Sequence, residues 1–118
     1  MANQPLRNYL RTYRRRSGLS QDEIAQLLGT SSGTKVSRYE NFARLPSVAG
    51  ILRYEIIFNQ PASKLFAGAY EAAHRDVRAR AKRLAKTLTA KSGNPRTARK
   101  LQILRTIVDS KPGATGHH

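Results

Sequence analysis

The sequence predicts an all-α protein, with five helices in residues 1–70 and a basic helical extension in residues 71–111. Three observations support this fold class. Apolar residues recur at steps of three and four along most of the chain, which is the spacing of one helix face. No stretch alternates apolar and polar residues, and no Asn-Gly or Asp-Gly pair offers a hairpin turn. Residues 112–118 form a tail whose final His117 and His118 resemble the remnant of a purification tag.

The first two predicted helices have recognisable ends. Pro5 suits the first turn of the first helix, and Gly18 is placed to end it. Ser20 and Glu23 have the spacing of a capping box, which starts the second helix, and Gly29 stops it. The residues expected to face inward are Leu6, Tyr9, Leu10 and Tyr13, followed by Ile24, Ala25, Leu27 and Leu28.

A polar turn at residues 30–33 precedes a short third helix, with Ser31 or Ser32 as its N-cap. Helical spacing turns Val36 and Tyr39 inward. The outward residues of this helix are Thr34, Lys35 and Arg38.

Two longer helices and a terminal one follow. Ser47 caps a fourth helix, and Pro61 breaks it. A fifth helix is expected from Ser63 to about Ala90. Its apolar stripe is Phe66, Tyr70, Ala73, Val77, Ala81, Leu84 and Leu88. This stripe is rich in alanine and predicts a thin core, packed within the chain or across a dimer. The last helix starts at Asn94-Pro95 and carries Leu101, Leu104 and Val108 on one face.

The charge of the chain is strongly positive and unevenly distributed. Lys and Arg total 22 against 7 Asp and Glu, a net charge of +15. Residues 1–73 contribute +5, and residues 74–118 contribute +10. A folded chain of this charge predicts a polyanionic partner: nucleic acid, or as the weaker alternative an anionic membrane surface.

Several classes of protein are excluded by what the sequence lacks. There is no cysteine, so disulfides, thiolate zinc sites and cysteine nucleophiles are absent. No Gly-rich phosphate loop, Ser/His/Asp set or carboxylate cluster is present, which predicts no enzymatic activity, no metal and no cofactor. His74 stands alone and is expected at the surface. No apolar stretch is long enough for a membrane span or a signal peptide, so the expected location is cytoplasmic, at the nucleoid.

The second and third helices form a helix-turn-helix in outline. Their residues resemble the Xre/Cro–C1 family of phage-repressor-like bacterial and phage regulators, over roughly Leu6 to Tyr70. The matching motifs are Gly18-Leu19-Ser20-Gln21, Glu23-Ile24-Ala25, Leu28-Gly29, Val36-Ser37-Arg38-Tyr39-Glu40, Pro46-Ser47 and Leu65-Phe66. The resemblance implies a five-helix domain that binds a palindromic double-stranded DNA operator as a homodimer.

The resemblance also assigns roles to individual positions. The base-facing positions correspond to Ser32, Thr34, Lys35 and Arg38. Those that contact phosphates correspond to Gln21, Asn41 and Arg44. A structural ion pair is implied between Arg14 and Glu40. The sequence departs from the family in two places: the turn before Val36 is one residue longer, and Phe42 replaces a glycine. The chain then leaves the helix without a left-handed glycine, or Asn41 takes the left-handed conformation instead.

Two questions stay open at this point. The first is whether Arg11, Arg15 and Arg16 clamp phosphates or only add solubility. The second concerns the basic extension, which could contact DNA, form a dimer arm or dock an acidic protein. The dimer arm would use Val77, Ala81, Leu84 and Leu88, and combined DNA and dimer contact is favoured. The expected function is therefore a transcriptional regulator of the repressor kind. The alternatives are an antitoxin-like adaptor, whose C-terminal half binds a protein, and a nonspecific nucleic-acid coat.

Overall fold

The computed structural model describes residues 7–91 and 93–111, and these are helical apart from turns and short connections. The helices are α1 Leu10–Ser17, α2 Gln21–Leu28, α3 Gly33–Glu40, α4 Val48–Phe58, α5 Ala62–Leu65, α6 Ala67–Thr89 and α7 Pro95–Asp109. No strand occurs in these two ranges, so the predicted all-α fold class is confirmed. The chain forms two compact units, which meet between Tyr70 and Glu71.

The core of the first unit is built around a buried tyrosine. Tyr54 is 1% exposed. Its ring lies edge-on to Tyr39 and Phe66 and stacks on Phe58, with the closest centroids 5.9 Å apart. The surrounding buried residues are Leu10, Ile24, Ala25, Leu28, Val36 and Leu65. Aromatic pairs of this kind contribute about 0.5–1.5 kcal/mol each beyond the area that they bury.

Leu27 does not join this core and is 54% exposed, so the prediction that it faces inward is wrong. The buried stripe of α2 consists of Ile24, Ala25 and Leu28. Ala25 and Leu28 follow Ile24 by one and four residues, which places all three on one face. A helix of only two turns packs one narrow stripe against its neighbours, and Leu27 falls beside that stripe.

The helix ends predicted from short-range patterns are confirmed. Ser20 Oγ accepts from the Glu23 amide at 3.0 Å, and Glu23 Oε1 accepts from the Ser20 amide at 2.8 Å, which completes the capping box. Gly18 and Gly29 end α1 and α2 with φ of 79° and 75°. Further caps form where Ser47 accepts from the Gly50 amide and where Asn94 accepts from the Thr97 amide.

The end of α3 has neither a left-handed glycine nor a left-handed Asn41. Asn41 has a φ of −93°, and the left-handed conformation falls on Phe42 instead, at a φ of 65°. With Phe42 in this conformation, the Ala43 amide donates to the Arg38 carbonyl at 2.9 Å and closes the helix end. The Arg7 guanidinium lies 5.5 Å from the centre of the Phe42 ring, and this contact helps to hold the residue there.

The predicted start of the first helix and the continuous fifth helix are also wrong. Pro5 and Leu6 lie outside the described residues, and α1 begins only at Leu10. Arg7 and Tyr9 instead bond to the chain around Phe66: the Tyr9 amide donates to the Leu65 carbonyl, and the Gly68 amide donates to the Arg7 carbonyl, both at 2.8 Å. Because the Leu65 carbonyl accepts from the Tyr9 amide, it does not accept a hydrogen bond within a continuous helix. The predicted helix therefore divides into α5 and α6.

Gly68 is required at this crossing, because a Cβ there would lie 2.7 Å from Arg7 Cα. The cap of α5 also differs from the expected Ser63: Pro61 occupies the N-cap position. The Ala62 amide donates to Glu55 Oε1 at 2.6 Å, so a side chain from α4 satisfies the first turn.

The second unit is a helical hairpin made from α6 beyond Tyr70 and from α7. His74 Nε2 lies 2.8 Å from Ser110 Oγ, which brings the beginning of one helix next to the end of the other. Ala81 and Leu104 are the buried apolar residues among the described positions of this unit. Across residues 7–91 and 93–111, no helix is both long and apolar enough to cross a bilayer.

Candidate nucleic-acid interface

The turn between α2 and α3 is closed by a contact that brings the two helix starts together. The Gly33 amide donates to Asp22 Oδ1 at 3.0 Å, and Gly33 is buried. A Cβ at this glycine would lie only 2.5 Å from the same carboxylate oxygen. Ser32 occupies the N-cap of α3, but its own side chain makes no capping hydrogen bond. Asp22, from the neighbouring helix, accepts from the first turn of α3 in its place.

This contact seats the start of α3 directly on the start of α2, with no room for a side chain between them. This role of Asp22 was not predicted from the sequence. The contact joins residues 11 positions apart, and its sequence signal is the glycine at the start of α3.

The outward face of α3 carries the predicted base-facing residues. Ser32, Thr34 and Arg38 are exposed, and Lys35 is partly exposed. Within the described part of the chain, the side chains of Thr34, Lys35 and Arg38 make no hydrogen bond or ion pair, so they are available to a ligand. Thr34 and Arg38 are four residues apart and lie one above the other on the helix. Ser37, half-buried beside them, was not predicted from the sequence, although it follows Thr34 by three residues.

Behind this face, Glu40 joins three elements. Its side chain is 1% exposed and lies 2.6 Å from Arg14 Nε. Arg14 Nη2 and Gln21 Nε2 each donate to Glu40 Oε1 at 3.1 Å, and Arg11 Nε lies 3.5 Å from the same oxygen. We call these four residues the Glu40 cluster. It ties α1 and the start of α2 to the end of α3, and so fixes the outward face of α3 relative to the rest of the unit.

The electrostatics of the Glu40 cluster favour the charged state. Burial alone would raise the pKa of the Glu40 carboxyl, but hydrogen bonds from Arg14, Gln21 and Arg11, together with the charge of Arg14, outweigh it and lower the pKa. The hydrogen bond to Glu40 likewise raises the pKa of the Arg14 guanidinium above its usual value. The pair is therefore ionised at neutral pH.

An open cleft of about 800 Å³ lies beside the Glu40 cluster, between α1 and the first turns of α2 and α3. Its lining includes Arg11, Arg15, Ser20, Gln21, Thr34 and Ser37. The N-terminal ends of helices favour anions, and the two arginines add positive charge. The geometry separates the three arginines that sequence analysis treated together, because Arg16 lies over the Tyr13 ring at 5.5 Å instead.

The three predicted phosphate-contacting residues occupy different settings. Gln21 uses one amide hydrogen on Glu40 and retains a second, since a carboxamide carries two. Asn41 accepts from Arg11 Nη2 at 2.6 Å and donates to Ser37 Oγ at 3.3 Å. Arg44 is exposed in the loop after α3. The structure therefore brings Gln21 to the cleft and leaves Asn41 and Arg44 at the C-terminal end of α3.

No group of His, Asp or Glu that could hold a metal ion occurs within residues 7–91 and 93–111. The cleft is lined mainly by cationic, hydroxyl and amide groups, and its one carboxylate, Asp22, accepts from the Gly33 amide. This lining is suited to an anion.

Comparison with known proteins agrees with this geometry. Residues 5–54 match the model of a family described as a helix-turn-helix domain, a span that includes α1, α2, α3 and the first part of α4. No curated protein and no solved structure matches the chain. The N-terminal part of this protein is thus a helix-turn-helix domain.

Proposed function

We propose that this protein is a sequence-specific regulator of transcription, a repressor of the Xre/Cro–C1 type that binds a palindromic double-stranded DNA operator as a homodimer. One observation carries the proposal. The unbonded side chains of Thr34, Lys35 and Arg38 lie on the outer face of α3, while the Glu40 cluster fixes that helix from behind. A fixed helix with an open polar face is what base readout in the major groove requires.

Base recognition is assigned to the first two turns of α3. Lys35 and Arg38 suit the O6 and N7 acceptors of guanine, and Arg38 presents the two donors that a bidentate contact needs. Thr34 and Ser32 can donate, accept or touch a thymine methyl group. Each good bidentate contact contributes about 1–3 kcal/mol of discrimination against the wrong base.

The cleft beside the Glu40 cluster is assigned to a DNA phosphate. The second amide hydrogen of Gln21 and the guanidinium groups of Arg11 and Arg15 are the donors that such an anion would meet. Asn41 and Arg44 would hold the backbone at the far end of α3. These contacts set the register of the helix in the groove and carry no sequence information themselves.

The dimer is assigned to the outer face of α4. Val48, Leu52 and Ile56 are 74%, 54% and 80% exposed and lie four residues apart on one face. Leu45, 59% exposed, precedes them in the loop that follows α3. An exposed apolar face in the same unit as α3 suits a contact between two copies, which must place their α3 helices about 34–36 Å apart. This face is favoured over the extension as the dimer contact because it is more exposed: in the stripe of the extension Ala81 is buried, and Val77 and Leu84 are 48% and 49% exposed.

Selection from a pool of random DNA duplexes tests the proposed function. The full-length chain is incubated with the pool at about 150 mM salt, and the bound duplexes are sequenced over successive rounds. We expect a motif with two-fold symmetry, and a Leu52→Glu variant should recover only one half of it or nothing. Recovery of duplexes with no shared sequence would contradict the proposal and leave a nonspecific nucleic-acid coat.

An adaptor or antitoxin-like function is the second candidate. The observation that favours it is an apolar groove in the second unit, bordered by cations, whose composition suits a protein partner. In this case the first unit would still bind DNA, and the C-terminal helices would bind another protein. Either function needs no cofactor and places the protein with the DNA of the cell.

A further inference from the structure

The helical hairpin of the second unit leaves much of its apolar surface uncovered. Ala81 and Leu104 are its buried apolar residues within the described range, while Val77, Leu84 and Ile103 are 48%, 49% and 59% exposed. Two helices that bury so little against each other form a marginal core. A third helix packed over Leu84 and Ile103 would cover part of this surface.

The uncovered surface contains a groove of about 360 Å³. Its floor is formed by Leu84 and Leu88 of α6 and by Ile103 and Leu104 of α7, and only apolar atoms face the groove. Grooves between two packed helices accept an apolar helix face whose side chains recur at steps of three, four and seven residues. The shape of this groove therefore suits a helix.

The border of the groove is positively charged. Arg96, Arg99 and Lys100 lie along it, at the spacing of neighbours on one face of α7. Their aliphatic stems complete the apolar lining, while their charged ends reach solvent. Residues 71–118 carry 12 Lys and Arg against 3 Asp and Glu. The three acidic residues, Glu71, Asp76 and Asp109, do not line the groove, so they do not offset its three cations there.

We propose that the groove between α6 and α7 binds an acidic amphipathic helix of another protein. The apolar floor would hold the leucine-like residues of that helix, and the three cations would pair with carboxylates on its flanks. A second copy of this chain is the poorer occupant, because each copy has a net charge of +9 over residues 71–118 and the two would repel. DNA is the poorer occupant as well, because phosphates cannot fill an apolar floor.

Fluorescence anisotropy with synthetic peptides tests the proposal. The probe is a labelled helical peptide of about 18 residues, with leucine at helix-face positions and glutamate at the flanking positions. The control peptide has the same composition in shuffled order, so its charge is identical and its apolar face is gone. With the full-length protein at about 150 mM salt, we expect the amphipathic peptide to bind at least roughly tenfold tighter than the shuffled one.

Two pairs of variants locate the binding site. Ile103→Asp places a charge on the exposed part of the floor, and Val77→Asp makes the same change at an exposed apolar residue outside the groove. Arg99→Glu reverses a border charge, and Arg78→Glu reverses an exposed charge elsewhere on the hairpin. We expect Ile103→Asp and Arg99→Glu each to weaken peptide binding about tenfold more than their controls. Circular dichroism checks that all four variants keep their helicity, and a peptide with lysine at its flanks should prefer Arg99→Glu to the wild type.

Three outcomes would overturn the proposal. Equal affinity for the two peptides would show that charge alone is recognised. If a random DNA duplex displaces the peptide, and this displacement is reduced in Arg99→Glu and unchanged in Ile103→Asp, the result would show that the surface binds polyanions. A dimer in sedimentation velocity that Ile103→Asp dissociates, without any peptide binding, would identify a second copy as the occupant. None of these results depends on whether α3 reads DNA, so this proposal and the proposed function fail separately.

Discussion

Replacing Arg14 by alanine should destabilise the first unit strongly, because it leaves the Glu40 carboxylate buried without its main partner. Arg14 is 14% exposed and Glu40 1%, and their closest atoms are 2.6 Å apart. Removing one partner of a buried pair costs about 3–5 kcal/mol. Gln21 at 3.1 Å and Arg11 at 3.5 Å still contact the carboxylate, so we expect a cost near the lower end, about 3 kcal/mol.

Thermal and urea unfolding followed by circular dichroism measure this cost. For a domain of this size, a loss of about 3 kcal/mol lowers the Tm by roughly 12–24 °C. Arg15→Ala is the matched control, since this neighbouring arginine is exposed and should change stability by less than about 0.5 kcal/mol. A loss below about 1 kcal/mol for Arg14→Ala, or the same loss for both variants, would refute the reasoning.

The same pair predicts how stability depends on pH. The folded pKa of Glu40 lies below its unfolded value, so its ionisation stabilises the fold fully above the unfolded pKa. That contribution is lost as the pH falls from about 4.3, the usual glutamate value, through the lower folded pKa. Glu40→Gln should therefore be less stable than the wild type at neutral pH, and the difference should shrink in this acidic range. A difference that stays constant with pH would contradict the assigned ionisation.

Two further predictions concern single positions in the first unit. No hydrogen-bond partner for the Tyr54 hydroxyl lies among residues 7–91 and 93–111. Tyr54→Phe should therefore leave the unfolding free energy unchanged or raise it by up to about 1 kcal/mol. A loss above about 1 kcal/mol would show that the hydroxyl is bonded. Phe42 has a positive φ, so Phe42→Gly should be about 1 kcal/mol more stable than Phe42→Ala. Both variants remove the same ring and the same contact with Arg7, so they differ only in the backbone. Equal stabilities in urea would show that the backbone there is unstrained.

The parts of this fold that the sequence predicts correctly depend on short-range patterns. The capping box of Ser20 and Glu23 and the left-handed ends at Gly18 and Gly29 each involve residues close together in the chain. Each pattern specifies one arrangement of the backbone and its hydrogen bonds within a turn of helix, and the structure has that arrangement.

The features that the sequence does not predict depend on contacts between distant segments. The break at Phe66 follows from the bond between Tyr9 and Leu65, which lie far apart in the chain, so no local pattern signals it. The central position of Tyr54 has the same origin: the periodicity of α4 favours its aliphatic residues, while the packing of α3 and α5 selects the tyrosine.

The candidate site divides in the same way. Helical spacing alone places Thr34 and Arg38 on one outward face of α3, and the structure shows them exposed there. The contact of Arg16 with the Tyr13 ring has the three-residue spacing of neighbours on one helix face, so it is local. The placement of Arg15 in the cleft, by contrast, requires the packing of α1 against the other helices.

The most direct test of the central claim, that α3 reads DNA sequence, is the ratio of two dissociation constants for Arg38→Ala. Fluorescence anisotropy at fixed salt gives the Kd for a selected duplex and for a scrambled duplex of equal length, with Arg83→Ala as the control on the basic extension. We expect Arg38→Ala to reduce the preference for the selected duplex by roughly 5- to 150-fold, which corresponds to about 1–3 kcal/mol, with little change on scrambled DNA. Arg83→Ala should weaken both duplexes alike. Equal losses on both duplexes for Arg38→Ala would contradict the claim and reduce this helix to a phosphate contact.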